Sequence, residues 1–316
     1  MLKKFYFKVV LFVMIAVLLF LGFEYLTISE DYRYFMARVT DSEEFITVNT
    51  GSDEIKPYIA KVQEQNGYTK LIVGDSVCHQ MFNGLQEYNE EYCIVGSNAA
   101  ITMAGQYILI EQFLENHEQV TDIYLIILPS ALQSTFDTQY GYQYTVMPFV
   151  ETDTLKLLDD NTIRQMESVY GKLFMDEKIV RLIDRSGFNR KVYLNELADR
   201  VKVKSEGPVS NASVQYLEKI KMLCEAKGVS LHLLPGPFMD TEQRHTLVDD
   251  KIRTAYEETV LQDYFPDFLN QVQFYPEEQF ADGIHFGGDY ANQQAYNEKI
   301  REMYMEKGML EGLCFE

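Results

Sequence analysis

The sequence predicts an α/β fold: a parallel sheet with helices on both faces, three layers deep. Three observations predict it. Short continuous apolar runs end at Gly or Pro, as in "LIVG" and "YLIILP", which suits strands buried on both sides. Amphipathic stretches of helical period separate these runs, and that alternation is what parallel crossovers require. The chain has 316 residues, 47% hydrophobic and 24% charged, ample for one large core that carries an insertion.

The first element is apolar. Lys3, Lys4 and Lys8 precede an uncharged run from Val9 to Phe23. With Phe5, Tyr6 and Phe7 it is long enough for a hydrocarbon core of roughly 30 Å. Gly22 is followed by Phe23, Glu24 and Tyr25, a poor cleavage site, so an uncleaved transmembrane anchor is expected rather than a cleaved signal. The lysines then stay cytoplasmic, and everything after Tyr25 is extracytoplasmic on a single-pass cell-membrane protein. The expected organisation is a cytoplasmic tip and anchor over 1–26, a membrane-proximal segment over 27–68 that packs loosely, and one domain over 69–316.

Within that domain "KLIVGD" reads as the first strand and Ser76 to Leu85 as a helix. "YCIVGS" is the second strand, "NAAITMAGQYILIEQFLENH" a long helix, and "DIYLIILP" the third strand. The alternation then breaks over about 130–207. This helical insertion after the third strand reads as a lid or a small subdomain, with "STFDTQYGYQYTVMPF" Tyr-rich and turn-like. Ser210 caps the next helix and Gly228 ends it. "VSLHLLPGP" and "VQFYP" follow as strands, and "FADGIHF" is a loop before the last helix.

The net charge of −20 argues against nucleic acid, whose phosphates it repels. Four cysteines, Cys78, Cys93, Cys224 and Cys314, are too few for a disulfide scaffold and have no metal-ligand spacing. No Gly-rich phosphate loop is present, so no cofactor is indicated. Asp240, Asp282, His285 and Asp289 form an oxygen-rich set, but nothing in their spacing demands a metal, and none is expected.

Parallel sheets bind ligands beyond the carboxyl ends of their strands. Gly74-Asp75-Ser76, Pro129-Ser130, Pro235-Gly236-Pro237 and "FADGIHF" all fall there. Ser76 is either a helix-starting residue or a nucleophile, and as a nucleophile it needs a base. Of five histidines, His117 ends a helix and is expected exposed, His245 is mid-helix, and His232 lies in a strand. His79, one turn after Ser76, belongs either to the pocket rim or to the surface. His285 sits in a Gly-containing loop three residues after Asp282. That spacing lets a carboxylate fix the imidazole tautomer while the other ring nitrogen faces a serine. Alternatively, Asp282 caps a turn and His285 caps the last helix.

"LIVGDS" early and "FADGIHF" late, with α/β alternation between them, resemble the SGNH/GDSL hydrolase superfamily, over about 70–308. The resemblance implies a flavodoxin-like three-layer fold, Ser76 as nucleophile, His285 as general base and Asp282 as its partner. It also implies an oxyanion hole built from the serine N–H, a glycine after the second strand and an Asn after the third. Gly96 and Asn98 are placed near that hole. The third-strand GxND motif is absent and "ILPSALQ" stands in its place, leaving Ser130 as a substitute. Losing one oxyanion donor costs about 10²–10³ in rate.

The anchor, GDS, the divergent third block and a late DxxH are similar to membrane-anchored SGNH-like proteins of cell-surface polysaccharide O-acylation, of the alginate O-acetyltransfer and teichoic-acid D-alanyl transfer kinds. That likeness implies an extracytoplasmic acyl (O-acetyl) transferase or esterase acting on a surface polysaccharide or teichoic-acid-like glycopolymer, beside a membrane-bound O-acyltransferase partner. The alternative it allows is a non-catalytic scaffold or glycan-binding subunit. The Tyr-rich insertion offers stacking surface for sugars, though tyrosines are also ordinary core residues.

Overall fold

Alternate residues of the first strand enter two separate apolar clusters, and this splits the domain into three layers. In the computed structural model, which describes residues 2–40, 51–184, 187–201, 207–287, 290–306 and 308–314, the strands are β1 (Lys70–Gly74), β2 (Tyr92–Gly96), β3 (Asp122–Ile127) and β4 (Ser230–Pro235). Leu71 and Val73 of β1 join one cluster and Ile72 the other. The first cluster is closed by α3 (Gly51–Gln63), α5 (Met103–Asn116) and the helix Asn211–Lys227. The second is closed by α4 (Ser76–Phe82) and the helix Tyr290–Glu306. Side chains that alternate across a pleat need cover on both faces, which explains why these strands are apolar throughout.

The sheet order is β2-β1-β3-β4 and every pairing is parallel. The chain leaves β1 toward β2 and leaves β3 toward β4, in opposite directions. A crevice therefore opens at the carboxyl ends of β1 and β3, as expected where strand order reverses. Gly74, which ends β1, is required there: a Cβ at this position would sit 1.9 Å from the Ile126 carbonyl oxygen of β3.

Several expectations are corrected. "VQFYP" does not extend the sheet; Phe274–Tyr275 pairs instead with Phe238–Met239 as a separate parallel pair. The segment 27–68 is not loose throughout. It holds α2 (Glu30–Thr40) and α3, and Ile55, Ile59 and Val62 of α3 are buried in the core. Pro57 reads as a helix breaker, yet it lies inside α3, where it hides the i, i+4, i+7 apolar stripe from a sequence reading. The "turn-like" tyrosine stretch is a run of helical turns over Gln139–Gly141, Tyr142–Val146 and Met147–Val150. Its Tyr142, Met147 and Phe149 are fully buried. Glu151 bridges Lys56 of α3 at 3.0 Å and Arg181 at 3.7 Å. The insertion is thus built into the core rather than laid over it as a lid.

Ahead of the domain, α1 (Leu2–Ile28) carries over Leu2–Phe23 the one stretch among the described residues long and apolar enough to cross a membrane, with mean hydropathy 2.5 across its most apolar part. Ser210 and Gly228 cap the helix Asn211–Lys227 as expected, the latter in the left-handed conformation.

Candidate active site

The turn from β1 into α4 is held by one buried carboxylate. Asp75 is the N-cap of α4: its Oδ1 accepts from the Val77 N–H at 2.9 Å. Its Oδ2 reaches across the crevice and accepts from the Leu128 N–H at 2.7 Å. Burial pushes the Asp75 carboxyl up, and the N–H groups of Leu128, Val77 and Cys78 pull against that. The cap role weighed for Ser76 thus belongs to Asp75, and the Ser76 hydroxyl is left for other work.

That hydroxyl meets His285. His285 Nε2 lies 2.8 Å from Ser76 Oγ, and His285 Nδ1 lies 2.8 Å from Asp282 Oδ2. A carboxylate can only accept, so Nδ1 carries the proton and Nε2 accepts from the serine. Asp282 Oδ1 meanwhile accepts from the backbone N–H of Ile284 at 3.0 Å and of His285 at 2.8 Å. Both readings of Asp282 hold together: it caps its own turn and orients the ring. Partial desolvation opposes its charge, but the His285 ring and those two N–H groups outweigh this and hold the carboxyl at about 2. Gly283 completes the turn at φ +85°, where a side chain would be strained.

The loop is fastened to the serine's own helix. Gln80, one turn after Ser76, donates to the Phe286 carbonyl at 3.1 Å and accepts from the Phe286 N–H at 3.2 Å. Phe280 and Phe286 form an antiparallel bridge and stack with ring centroids 4.8 Å apart. Arg244 donates to the Gly283 carbonyl at 3.0 Å. Sequence reasoning missed Gln80, and the available signal was its i+4 spacing from Ser76 on one helix face.

Ser76 and His285 open into a cleft of about 690 Å³, which Asn98 and Ser130 also line. Gly96 does not. Its N–H donates to Asn83 Oδ1 at 3.0 Å, and a Cβ there would lie 2.3 Å from the His79 backbone nitrogen, so it is packed behind the site. The Asn98 N–H is likewise committed, to Glu54 Oε1 of α3 at 2.6 Å. Neither backbone donor after β2 is therefore free for an oxyanion. Pro235-Gly236-Pro237 is absent from the cleft lining, and Gly236 packs against Leu128 and Val77.

The other histidines have structural partners. His79 faces away from the cleft, with Nδ1 3.1 Å from the Gly96 carbonyl and 3.2 Å from the Tyr58 hydroxyl. His117, expected exposed, is buried and stacks on Phe113 at 4.2 Å. His232 pairs with Asp122 and stacks on Tyr124. His245 sits between Asp240 and Asp249, which takes Asp240 out of the oxygen-rich set. Asp289, its last member, lies outside the described residues. Among the described residues no cysteine is in a disulfide: Cys78, Cys93 and Cys224 are buried and Cys314 is exposed.

No family model, no curated protein and no solved structure matches the chain.

Proposed function

We propose that this chain is a serine-dependent acyl-ester enzyme, an O-acyltransferase or esterase of a surface glycopolymer, held at a membrane by α1. The observation that carries the reading is the unbroken hydrogen-bond chain from Ser76 through His285 to Asp282 at the mouth of a cleft. Ser76 Oγ attacks the acyl carbonyl while His285 Nε2 takes its proton, and Asp282 stabilises the imidazolium. The Ser76 N–H, in the first turn of α4 and so without an intrahelical acceptor, faces the developing oxyanion. His285 then returns the proton to the departing oxygen, leaving the acyl group on Ser76. Water or a sugar hydroxyl, deprotonated by the same imidazole, completes the transfer. The SGNH-like fold, the extracytoplasmic placement and an O-acyltransferase partner in the membrane belong to this same reading.

A second reading, a glycan-binding scaffold, draws on one observation: the Gly96 and Asn98 N–H groups are both committed elsewhere, which leaves the oxyanion poorly served. A fluorophosphonate probe decides between the two. Applied to the full chain in lipid nanodiscs, it should label Ser76, and the label should vanish in Ser76→Ala and His285→Ala. A folded wild-type chain that takes no label favours the scaffold.

A further inference from the structure

The walls of the cleft say more about its occupant than the serine does. Apart from Asp75 and His285, every described residue lining it is uncharged. Asp75 is 3% exposed and spends its carboxylate on backbone N–H groups, so it offers little to a ligand. Among the described lining residues there is no Lys or Arg to meet a carboxylate or a phosphate. The surrounding chain carries a net charge of −20, which repels an anionic polymer further.

What the lining does offer is hydroxyls, amides and aromatic rings. Gln133 and Gln139 present neutral hydrogen-bonding groups from the start of the insertion. Tyr140 and Tyr144 stand on the same wall, one helical turn apart, with ring centroids 4.6 Å apart. Tyr140 is 41% exposed, so part of its ring is open to a partner. Desolvation in the cleft pushes both phenols up, with Arg190, which is not a lining residue, pulling against it at Tyr144, so both rings stay neutral. The volume of about 690 Å³ far exceeds what an acetyl group needs and suits a ligand with sugar rings attached.

We infer that the cleft takes the ester of an uncharged glycan, with Tyr140 and Tyr144 as the ring-facing wall, and not an ester of a uronate or phosphodiester polymer. This rests on reading the cleft as an acyl-ester site and specifies the polymer that site serves. Apolar C–H faces of a neutral sugar lie on the two rings, its hydroxyls meet Gln133 and Gln139, and the acyl carbonyl is directed at Ser76.

The test measures binding, so that it reads capture without chemistry. Ser76→Ala full chain in lipid nanodiscs, free of sugar-based detergent, is titrated by calorimetry. The neutral probes are β-1,4-linked tetramers of glucose, mannose and xylose, acetylated and plain. The anionic probes are galacturonate and mannuronate tetramers and glycerol phosphate. At least one neutral oligomer should bind more than tenfold tighter than any anionic probe. Tyr140→Ala should weaken that binding about tenfold, Tyr140→Phe by less than about twofold, since the ring does the holding. Tyr264→Ala, an exposed tyrosine outside the cleft lining, should leave affinity unchanged. Anionic binding equal to neutral, or no neutral binding, overturns the inference, as does indifference to Tyr140→Ala. Fluorophosphonate labelling of the wild type without neutral-sugar binding would sink this inference and spare the enzyme. Binding without labelling would do the reverse.

Discussion

Replacing Asp282 by Asn keeps the shape of the loop and changes one donor–acceptor relation. The Asn Oδ1 can still accept from the N–H groups of Ile284 and His285, so the turn survives. Its NH₂, however, now faces His285 Nδ1, where a carboxylate oxygen accepted at 2.8 Å. Two donors cannot share that contact, so the imidazole proton moves to Nε2, which lies 2.8 Å from Ser76 Oγ. Nε2 then has no lone pair for the serine proton. In a buried triad this tautomer error costs about 10⁴ in turnover. Here the Asp282 side chain is 56% exposed and water competes for the ring, so a loss of about 10²–10³ is expected. The assay is the pseudo-first-order rate of fluorophosphonate labelling at Ser76, followed by intact mass on the full chain in nanodiscs. The apparent melting temperature should move by less than about 3 °C, because the turn keeps its backbone bonds. If the Asp282→Asn variant is labelled within about threefold of the wild-type rate, with Ser76→Ala unlabelled, the claim that Asp282 sets the tautomer is refuted.

Further outcomes are expected elsewhere. Gln80→Ala removes both hydrogen bonds to the Phe286 backbone. It should destabilise by about 1–2 kcal/mol, yet slow Ser76 labelling by about tenfold, because His285 precedes the released residue. Asp159→Ala loses the cap of the helix Asp160–Tyr170 and the acceptor shared by Tyr216 and Lys219. A loss of about 2–3 kcal/mol, read as a drop of roughly 5–10 °C in apparent melting temperature, is expected, and an unchanged melt would contradict it. Hydrogen bonds to Asp240 and Asp249 raise His245 above its ordinary 6.5. The proton is bound more tightly in the folded state, so this support is full below pH 6.5 and is lost as pH rises through the raised value. The stability gap between wild type and His245→Gln should therefore be wider at pH 5.5 than at pH 9.

Much of the sheet was legible because its strands are buried on both faces. Continuous apolar runs such as "LIVG" and "DIYLII" have no other economical use in a chain of this polarity, and all four strands of the main sheet follow from them. "VQFYP" has the same look but only half-buried strand residues, so local pattern could not tell a pairing of two residues from a full strand. α3 and the tyrosine turns escape a sequence reading because Pro57 and a run of polar neighbours hide faces that only a tertiary partner makes apolar. The prediction of a single apolar N-terminal helix rested on length and composition alone, and the helix α1 has both.

By itself the sequence determined which residue types stand at which strand ends, since residue type and strand termination are local properties. Asp282 and His285 could be paired from sequence because a three-residue turn leaves few alternatives. Their meeting with Ser76, 209 positions away, is decided by the reversal of strand order between β1 and β3 and by Gln80 pinning the distant loop. The neutrality of the cleft is likewise tertiary. Its wall is assembled from the ends of three strands, an insertion and the His285 loop, and no local window of sequence contains them together. Tertiary structure also withdrew Gly96, because a backbone N–H is available only when nothing else has claimed it, and Asn83 had.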